Sequence, residues 1–416
     1  MKLLILADDL TGALDTGIQF ASKGARVKVV LDGAASITGV DPSVEVLVVN
    51  TESRHKAPKE AYAVVHHIME QATQMAIPYV YKKTDSALRG HLGAEFEAVL
   101  KWAKSGQLHF VPAFPKMHRG TRDGIHYIDG IPVSESVFGK DPFNPVRHNE
   151  VHHILKEETD SLIHVVPQGK KANEEKGVFV YDAMTEEDLS AVGNLLKNQG
   201  KLAYTAGCAG FASVLADVIG IGGDEKTEIH YEDSFVVACG SVNPITVAQL
   251  NYAEKKGFLH FYLMSEEILD PDWITSKAGE KKLRTLEDAI KNHHRVLIDT
   301  NDQKGHEPAI KYAAREGLTL QDVQNRISHT MGRLLHILID RGIRATMMIT
   351  GGDTLMGFMK DVHVAEMTPV KELIAGSVLS TVNVDGMPIN VISKSGGFGK
   401  ENLIAELSAI VLPENK

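Results

Sequence analysis

Two adjacent carboxylates, Asp8 and Asp9, close an apolar run in the stretch LLILADDLTGALDTG at residues 3–17. In open α/β sheets, ligands sit outside the carboxyl ends of the strands, so a strand ending in this pair would present both acids to a ligand. If a helix starts near Thr11, then Thr11 and Asp15 lie one turn apart on a shared face. Gly12 would let a ligand approach the backbone closely. Such a turn can orient a hydroxylated substrate and accept a proton from its hydroxyl, with a metal, a sugar or a phosphate as candidate ligands. Helix capping by Asp9 or Thr11 explains one acid and leaves the other over.

A second cluster, YKKTDSALRG at 81–90, also follows an apolar run and gathers Lys82, Lys83, Thr84, Asp85, Ser86 and Arg89. Arg89 can grip a carboxylate with two parallel hydrogen bonds, Lys83 adds charge, and Asp85 and Ser86 suit hydroxyls. A third such end, NTESRH at 50–55, offers Ser53, Arg54 and His55. Three strand ends carrying cations and hydroxyl-binding groups point to a small polyhydroxylated acid. The segment PAFPKMHRGTRDGIHYIDG at 112–130 would supply a covering loop, with Arg119, Arg122 and Asp129 as contributors and His126 as a packing residue.

Glycine turns dominate the other half: CGSVNP at 239–244, TGGDT at 350–354 and SKSGGFG at 393–399. Glycines let successive N–H groups face an anion, and a following helix start adds a favourable dipole. Ser241, Gly351, Gly352 and Gly396 are therefore the leading nucleotide contacts, and Asp353 suits Mg²⁺ or its water shell. The chain lacks G-x-x-x-x-G-K-[ST] and a strand-associated G-x-G-x-x-G near its start, which disfavours a P-loop kinase or a Rossmann dehydrogenase.

The elements that must hold these residues alternate. Strand-like runs at 2–7, 44–50, 77–83 and 108–114 are separated by helical periodicity, the βαβ signal of a parallel sheet covered on both faces. Residues 115–150 interrupt this with prolines and glycines and read as an irregular surface excursion. A polar, glycine-containing stretch at 220–233 separates a further set of βα units. The expected fold is α/β with two domains, 1–225 and 234–416, each a mostly parallel sheet flanked by helices, with the active site in the cleft between them.

With 416 residues, 43% hydrophobic and 24% charged, the chain has an ordinary globular balance. A net charge of −10 argues against a general nucleic-acid partner. No run approaches 18 apolar residues, so no membrane partner is expected. Two isolated cysteines and a short N-terminal apolar run fit a reducing cytoplasm. A homodimer is expected only from its general prevalence.

Taken together, ADDLTGALDTG, KTDSALRG, PAFP, GSVNPIT, TGGDT and SKSGGFG resemble, across nearly the whole chain, the four-carbon acid sugar kinase family. The resemblance implies an N-terminal acid-sugar domain, a C-terminal nucleotide domain, and ATP with Mg²⁺ phosphorylating the 4-hydroxyl of a small-molecule acid. D-threonate is the expected acid, with D-erythronate and 3-oxo-tetronates as competitors. Carried onto this chain, the acid-sugar motifs fall at Asp9, Arg54, Lys82, Lys83, Thr84 and Asp85, with Arg89 nearby. The nucleotide motifs fall at Ser241, Gly351, Gly352, Asp353, Thr354, Ser395, Gly396 and Gly397. Asp9 would orient or deprotonate the accepting hydroxyl and Asp8 would support the turn, while Lys83 and Arg89 would stabilise charge. Two departures stand out: the family's Gly-Arg-Thr after PAFP is replaced by KMHRGTRDG, and Gly397 stands where asparagine is common. The rival readings are an NAD-dependent hydroxy-acid oxidoreductase and a non-catalytic acid-sugar binding protein.

Overall fold

The computed structural model describes residues 1–33, 36–141, 144–223, 229–301, 307–394 and 397–412. The chain divides into two compact units, residues 1–226 and 227–416.

The first unit opens with β1 (Leu3–Ala7), α1 (Leu10–Ala21), β2 (Val27–Val30), β3 (Val46–Asn50) and α2 (Pro58–Gln74). It continues through β4 (Tyr79–Lys83), α3 (Leu92–Leu100), β5 (Gln107–Val111), β6 (Arg119–Arg122), β7 (Ile125–Ile128) and β8 (Ile131–Pro132). It closes with α4 (Val151–Lys156), β9 (Ile163–Val166), β10 (Gly177–Tyr181), α5 (Glu186–Asn198), β11 (Tyr204–Gly207) and α6 (Ala209–Ile219). Eight of these strands form one parallel sheet in the order β2-β3-β1-β4-β11-β5-β10-β9. Helices cover both faces, α1 with α6 and α5 on one and α2 with α3 and α4 on the other, which is why β1, β3 and β5 are buried along their whole length. On the α2–α3 side, Leu4, Leu6, Val65, Ile68 and Phe96 share one core.

Register sets the edge that matters. Ala7 pairs with both Asn50 and Lys83, and Gly207 pairs with Lys83 and Val111, so five strands end side by side. The helix after β1 lies on one face, whereas those after its neighbours β3 and β4 lie on the other. This change of side opens a crevice at the end of β1.

The 115–150 excursion is more regular than its composition suggests. β6, β7 and β8 form a separate antiparallel sheet. Its turns are Asp123-Gly124 and Asp129-Gly130, all four residues at positive φ, the backbone that tight two-residue hairpins require. A small core of Ala87, Ile128, Val133 and Val146 holds it together.

The second unit begins with β12 (Phe235–Cys239), α7 (Pro244–Lys255), β13 (Leu259–Tyr262), α8 (Ser265–Leu269), α9 (Lys277–His293) and β14 (Arg295–Asp299). It proceeds through α10 (Glu307–Glu316), α11 (Leu320–Asp340), β15 (Thr346–Thr350) and α12 (Gly352–Asp361). It ends with β16 (Glu366–Ile374), β17 (Ser377–Val384), β18 (Met387–Lys394) and α13 (Leu403–Val411). Its sheet runs β13-β14-β12-β15-β18-β17-β16, parallel as far as β18 and antiparallel beyond. The antiparallel part comes from hairpins, one of them turning on Asp385-Gly386 at φ 50° and 84°. α7 and α13 pack together on one face, α11 and α12 on the other. In both units the first strand lies between the third and the fourth, so each has its change of side at its first strand. Among the described residues no helix is long and apolar enough to cross a membrane.

Candidate active site

Asp9 caps α1: its backbone is extended, and its Oδ1 accepts the Gly12 N–H at 2.8 Å. Its Oδ2 accepts from Arg54 Nη1 at 2.7 Å. The capping and functional readings of Asp9 are therefore compatible, one carboxylate oxygen serving each. Asp8 is buried, and its Oδ2 accepts from Arg54 Nε at 2.7 Å, while its Oδ1 is buried with no hydrogen-bond partner among the described residues. Burial alone would raise the Asp8 carboxyl; Arg54, Lys83 and Lys82 outweigh it and hold the group below its ordinary value.

Arg54 completes a three-acid arrangement, with Nη2 3.7 Å from Asp85 Oδ1. Burial works against its charge, but the three carboxylates raise its pKa well above the ordinary value. Asp85 also takes Arg89, through Nε at 2.9 Å and Nη2 at 3.1 Å. Burial opposes the Asp85 charge, yet Arg89 and Arg54 hold its carboxyl well below the usual range. The remaining Arg89 nitrogen, Nη1, reaches Asp141 Oδ2 at 3.0 Å.

Strand alternation separates the two lysines of β4. Lys82 points toward α3, where it is 0% exposed and pairs with Glu95 at 3.0 Å. Glu95 also accepts from Ser53 Oγ at 2.5 Å, which ties the Arg54 loop to α3. Lys83 points the other way, toward the start of α1. A Cβ placed on Gly12 would lie 2.6 Å from Lys83 Nζ and 2.5 Å from Asp9 Oδ1. Lys83 is 5% exposed, and among the described residues its ammonium makes no hydrogen bond or ion pair. Thr84 follows it with a buried Oγ1 that has no hydrogen-bond partner among the described residues.

In the second unit the strand ends again align: Cys239 pairs with Asp299 and Thr350, and Thr350 with Lys394. The turn after β12 passes so close to α12 that a Cβ on Gly240 would fall 1.9 Å from Thr354 Oγ1. Ser241 follows, its Oγ accepting from Asn243 N–H at 3.3 Å. Gly351 precedes α12 at φ 102°, a backbone that favours glycine, and no side chain among the described residues caps that helix. Asp353 is exposed in its first turn, whereas Thr354 is buried. Gly397 stands near Asn243, its Cβ position 3.7 Å from Nδ2. Ser395 and Gly396 lie outside the described residues.

A model of the sugar-binding N-terminal domain matches residues 3–215, and one of the nucleotide-binding C-terminal domain matches residues 236–404. The D-threonate kinase of Salmonella typhimurium is 26% identical over 98% of this chain and 97% of its own. The chain belongs to the four-carbon acid sugar kinase family. The D-erythronate kinase of Heliobacterium modesticaldum is 25% identical over 85% of this chain and 83% of its own. A crystallised Salmonella typhimurium protein shares the fold with a TM-score of 0.81, at 17% identity over 98% of this chain and 99% of its own.

The departing loop of this kinase can now be read. His118 takes the left-handed backbone, φ 54°, immediately before Arg119. Both arginines that could take the place of the family's Gly-Arg-Thr arginine, Arg119 and Arg122, lie on β6. Arg119 donates from Nη1 to Ser86 Oγ, whereas Arg122 is exposed over the Tyr127 ring. His126 is buried between Thr121 Oγ1 and Ser86 O, each at 3.0 Å, and burial pushes its imidazole down to about 4.

Sequence reasoning passed over Lys394 in the kinase's nucleotide unit. It closes β18, lies buried with Nζ 2.9 Å from Thr246 Oγ1, and burial lowers its pKa to about 8. A lysine ending an apolar strand immediately before a glycine turn was the available signal. The buried acid Glu95 was missed as well, because nothing local distinguishes it from a surface glutamate.

Proposed function

We propose that the protein transfers the γ-phosphoryl group of ATP to the 4-hydroxyl of a four-carbon acid sugar, D-threonate first, giving the 4-phosphate and ADP. The observation that carries this reading is Lys83, a 5% exposed side chain whose ammonium, beside Asp9 at the start of α1, makes no hydrogen bond or ion pair among the described residues. A cation on a mostly buried side chain without a protein partner is well placed to meet an anion or a hydroxyl. The adjacent carboxylate suits the accepting hydroxyl. Asp9 would orient that hydroxyl and take its proton, and Lys83 would meet the negative charge of the incoming phosphoryl group. Arg54 would hold the two aspartates ionised and in place. Phosphoryl transfer depends chiefly on alignment and charge stabilisation, so a carboxylate fixed at both oxygens serves it well.

The second unit fits the nucleotide. A turn close-packed at Gly240 against the Thr354 hydroxyl and, among the described residues, an uncapped helix start after Gly351 and a buried Thr350 Oγ1 without a partner would together make a cradle for phosphate oxygens. Ser241, Gly351, Gly352, Thr354 and Gly397 would hold the phosphates. Asp353 would hold Mg²⁺ or its water shell, and Asp8 would order water about it. The ion, when bound, neutralises charge on the transferring group.

The test is an ATP-consumption screen of the purified protein with D-threonate, D-erythronate, L-threonate and 3-oxo-tetronates, locating the product phosphate by NMR. Phosphorylation at O4, fastest on D-threonate, is expected. No ATP-dependent phosphorylation of any of these acids overturns the reading.

A further inference from the structure

The cations at the carboxyl edge of the first sheet fall into two groups. Arg54 is held by Asp8, Asp9 and Asp85, Arg89 by Asp85 and Asp141, and Lys82 by Glu95. Lys83 and Arg119 are bonded to no acid among the described residues. Arg119 gives one guanidinium N–H to Ser86 Oγ, and its Nε is buried with no hydrogen-bond partner among the described residues. Its Cζ lies 5.3 Å from the centre of the Phe138 ring, which Arg89 also faces at 5.0 Å.

We infer that Arg119 binds the carboxylate end of the acid sugar and is the residue that selects an acid over the neutral polyol. This inference rests on the proposed function and names how its substrate is gripped. A guanidinium has five donors in a planar fork that matches a carboxylate, and here at least one buried donor is unmatched. Arg54 and Arg89 are fork-shaped too, but their donors already face protein carboxylates, so a substrate anion would have to displace an internal partner. Arg119 needs no such exchange. Ser86, which accepts from Arg119, keeps its own proton to donate to a substrate oxygen. The two cations without an acid partner among the described residues share a neighbourhood, since the charges of both Lys83 and Arg119 act on the Cys208 thiol at the end of β11. A ligand anchored by its carboxylate at Arg119 and by its far hydroxyl at Asp9 and Lys83 therefore has a defined polarity. Arg119 also lines a cavity of about 440 Å³ with His118, Tyr127 and Met184.

The experiment is calorimetric binding of D-threonate, D-erythronate and the matching neutral tetritols, threitol and erythritol, to the full chain and to Arg119→Met and Arg119→Lys. ATP binding serves as the check on folding. The parent is expected to prefer acid to polyol, and Arg119→Met to lose about 10- to 100-fold in acid affinity, the range of one or two charge-assisted hydrogen bonds. Its polyol and ATP affinities should stay at the parental value, with Arg119→Lys intermediate for the acid. If Arg119→Met keeps the parental acid-over-polyol preference, or weakens acid and polyol alike, Arg119 is only a fastener for the excursion and the inference falls. If the parent binds none of the acids, the proposed function falls instead.

Discussion

Lys82 and Lys83 are adjacent in the chain and lie on opposite faces of one sheet, the first paired with Glu95 behind the strand and the second beside Asp9 without a partner among the described residues. The pleat of β4 thus divides two like charges between structure and site. The buried pair anchors the strand, and the other ammonium faces the crevice at the end of β1.

Asp9 carries a cap and a proposed catalytic role on separate oxygens, and two substitutions should separate them. Asparagine caps as well as aspartate, so Asp9→Asn should melt close to the parent while kcat falls at least ~100-fold. Asp9→Ala should show the same kinetic loss and an added ~1 kcal/mol of destabilisation. Near-parental kcat in Asp9→Asn, with ATP and acid saturating, would rule Asp9 out as the base.

Gly12→Ala tests whether a ligand enters between Asp9 and Lys83. The new methyl would fall 2.6 Å from Lys83 Nζ and displace it. The KM for the acid should rise and kcat fall, with the KM for ATP unchanged. Parental kinetics would mean that the substrate binds elsewhere.

The Lys82–Glu95 pair should behave as a buried ion pair. Removing one partner in Lys82→Met leaves a buried carboxylate without its cation and should cost roughly 3–5 kcal/mol in denaturant unfolding. Adding Glu95→Leu should restore much of that loss, as apolar replacements of whole buried pairs tend to do. A double variant that shows the summed loss of its singles would mean the two charges are not coupled.

Lys394 gives a pH test. Its folded-state value of about 8 lies below the ordinary 10.5, so between those values the unfolded chain holds a proton that the folded chain lacks. Its contribution to stability therefore rises with pH across that window. An anionic phosphate beside it would favour the charged form, so ATP binding near pH 8.5 should take up a proton. Calorimetry in two buffers of different ionisation enthalpy measures that uptake, and Lys394→Met should abolish it. ATP binding by the parent without proton uptake would place Lys394 away from the phosphates.

Much of this arrangement was legible in the sequence because the signals are local. Apolar runs ending on polar clusters gave the strand ends, and the register then aligned them at Ala7, Asn50, Lys83 and Gly207. What was not legible depends on residues far apart in the chain. That Arg54 would be surrounded by Asp8, Asp9 and Asp85 follows from three strands meeting, and no spacing announces it. The pleat could say that Lys82 and Lys83 diverge, but only the position of α3 shows which one is enclosed. The hairpins at Asp123-Gly124, Asp129-Gly130 and Asp385-Gly386 did carry a signal, and the density of prolines and polar residues around the first two obscured it.

The closeness of Gly240 to Thr354, and the left-handed backbone at Gly351, bear on inhibition. A side chain on either glycine is opposed, at Gly240 by the Thr354 hydroxyl and at Gly351 by the left-handed φ. With the donor's phosphates on the backbone N–H groups of these turns, as proposed, a compound that draws its affinity from them would leave the organism few routes to resistance, since substitutions that expel the drug would also weaken donor binding.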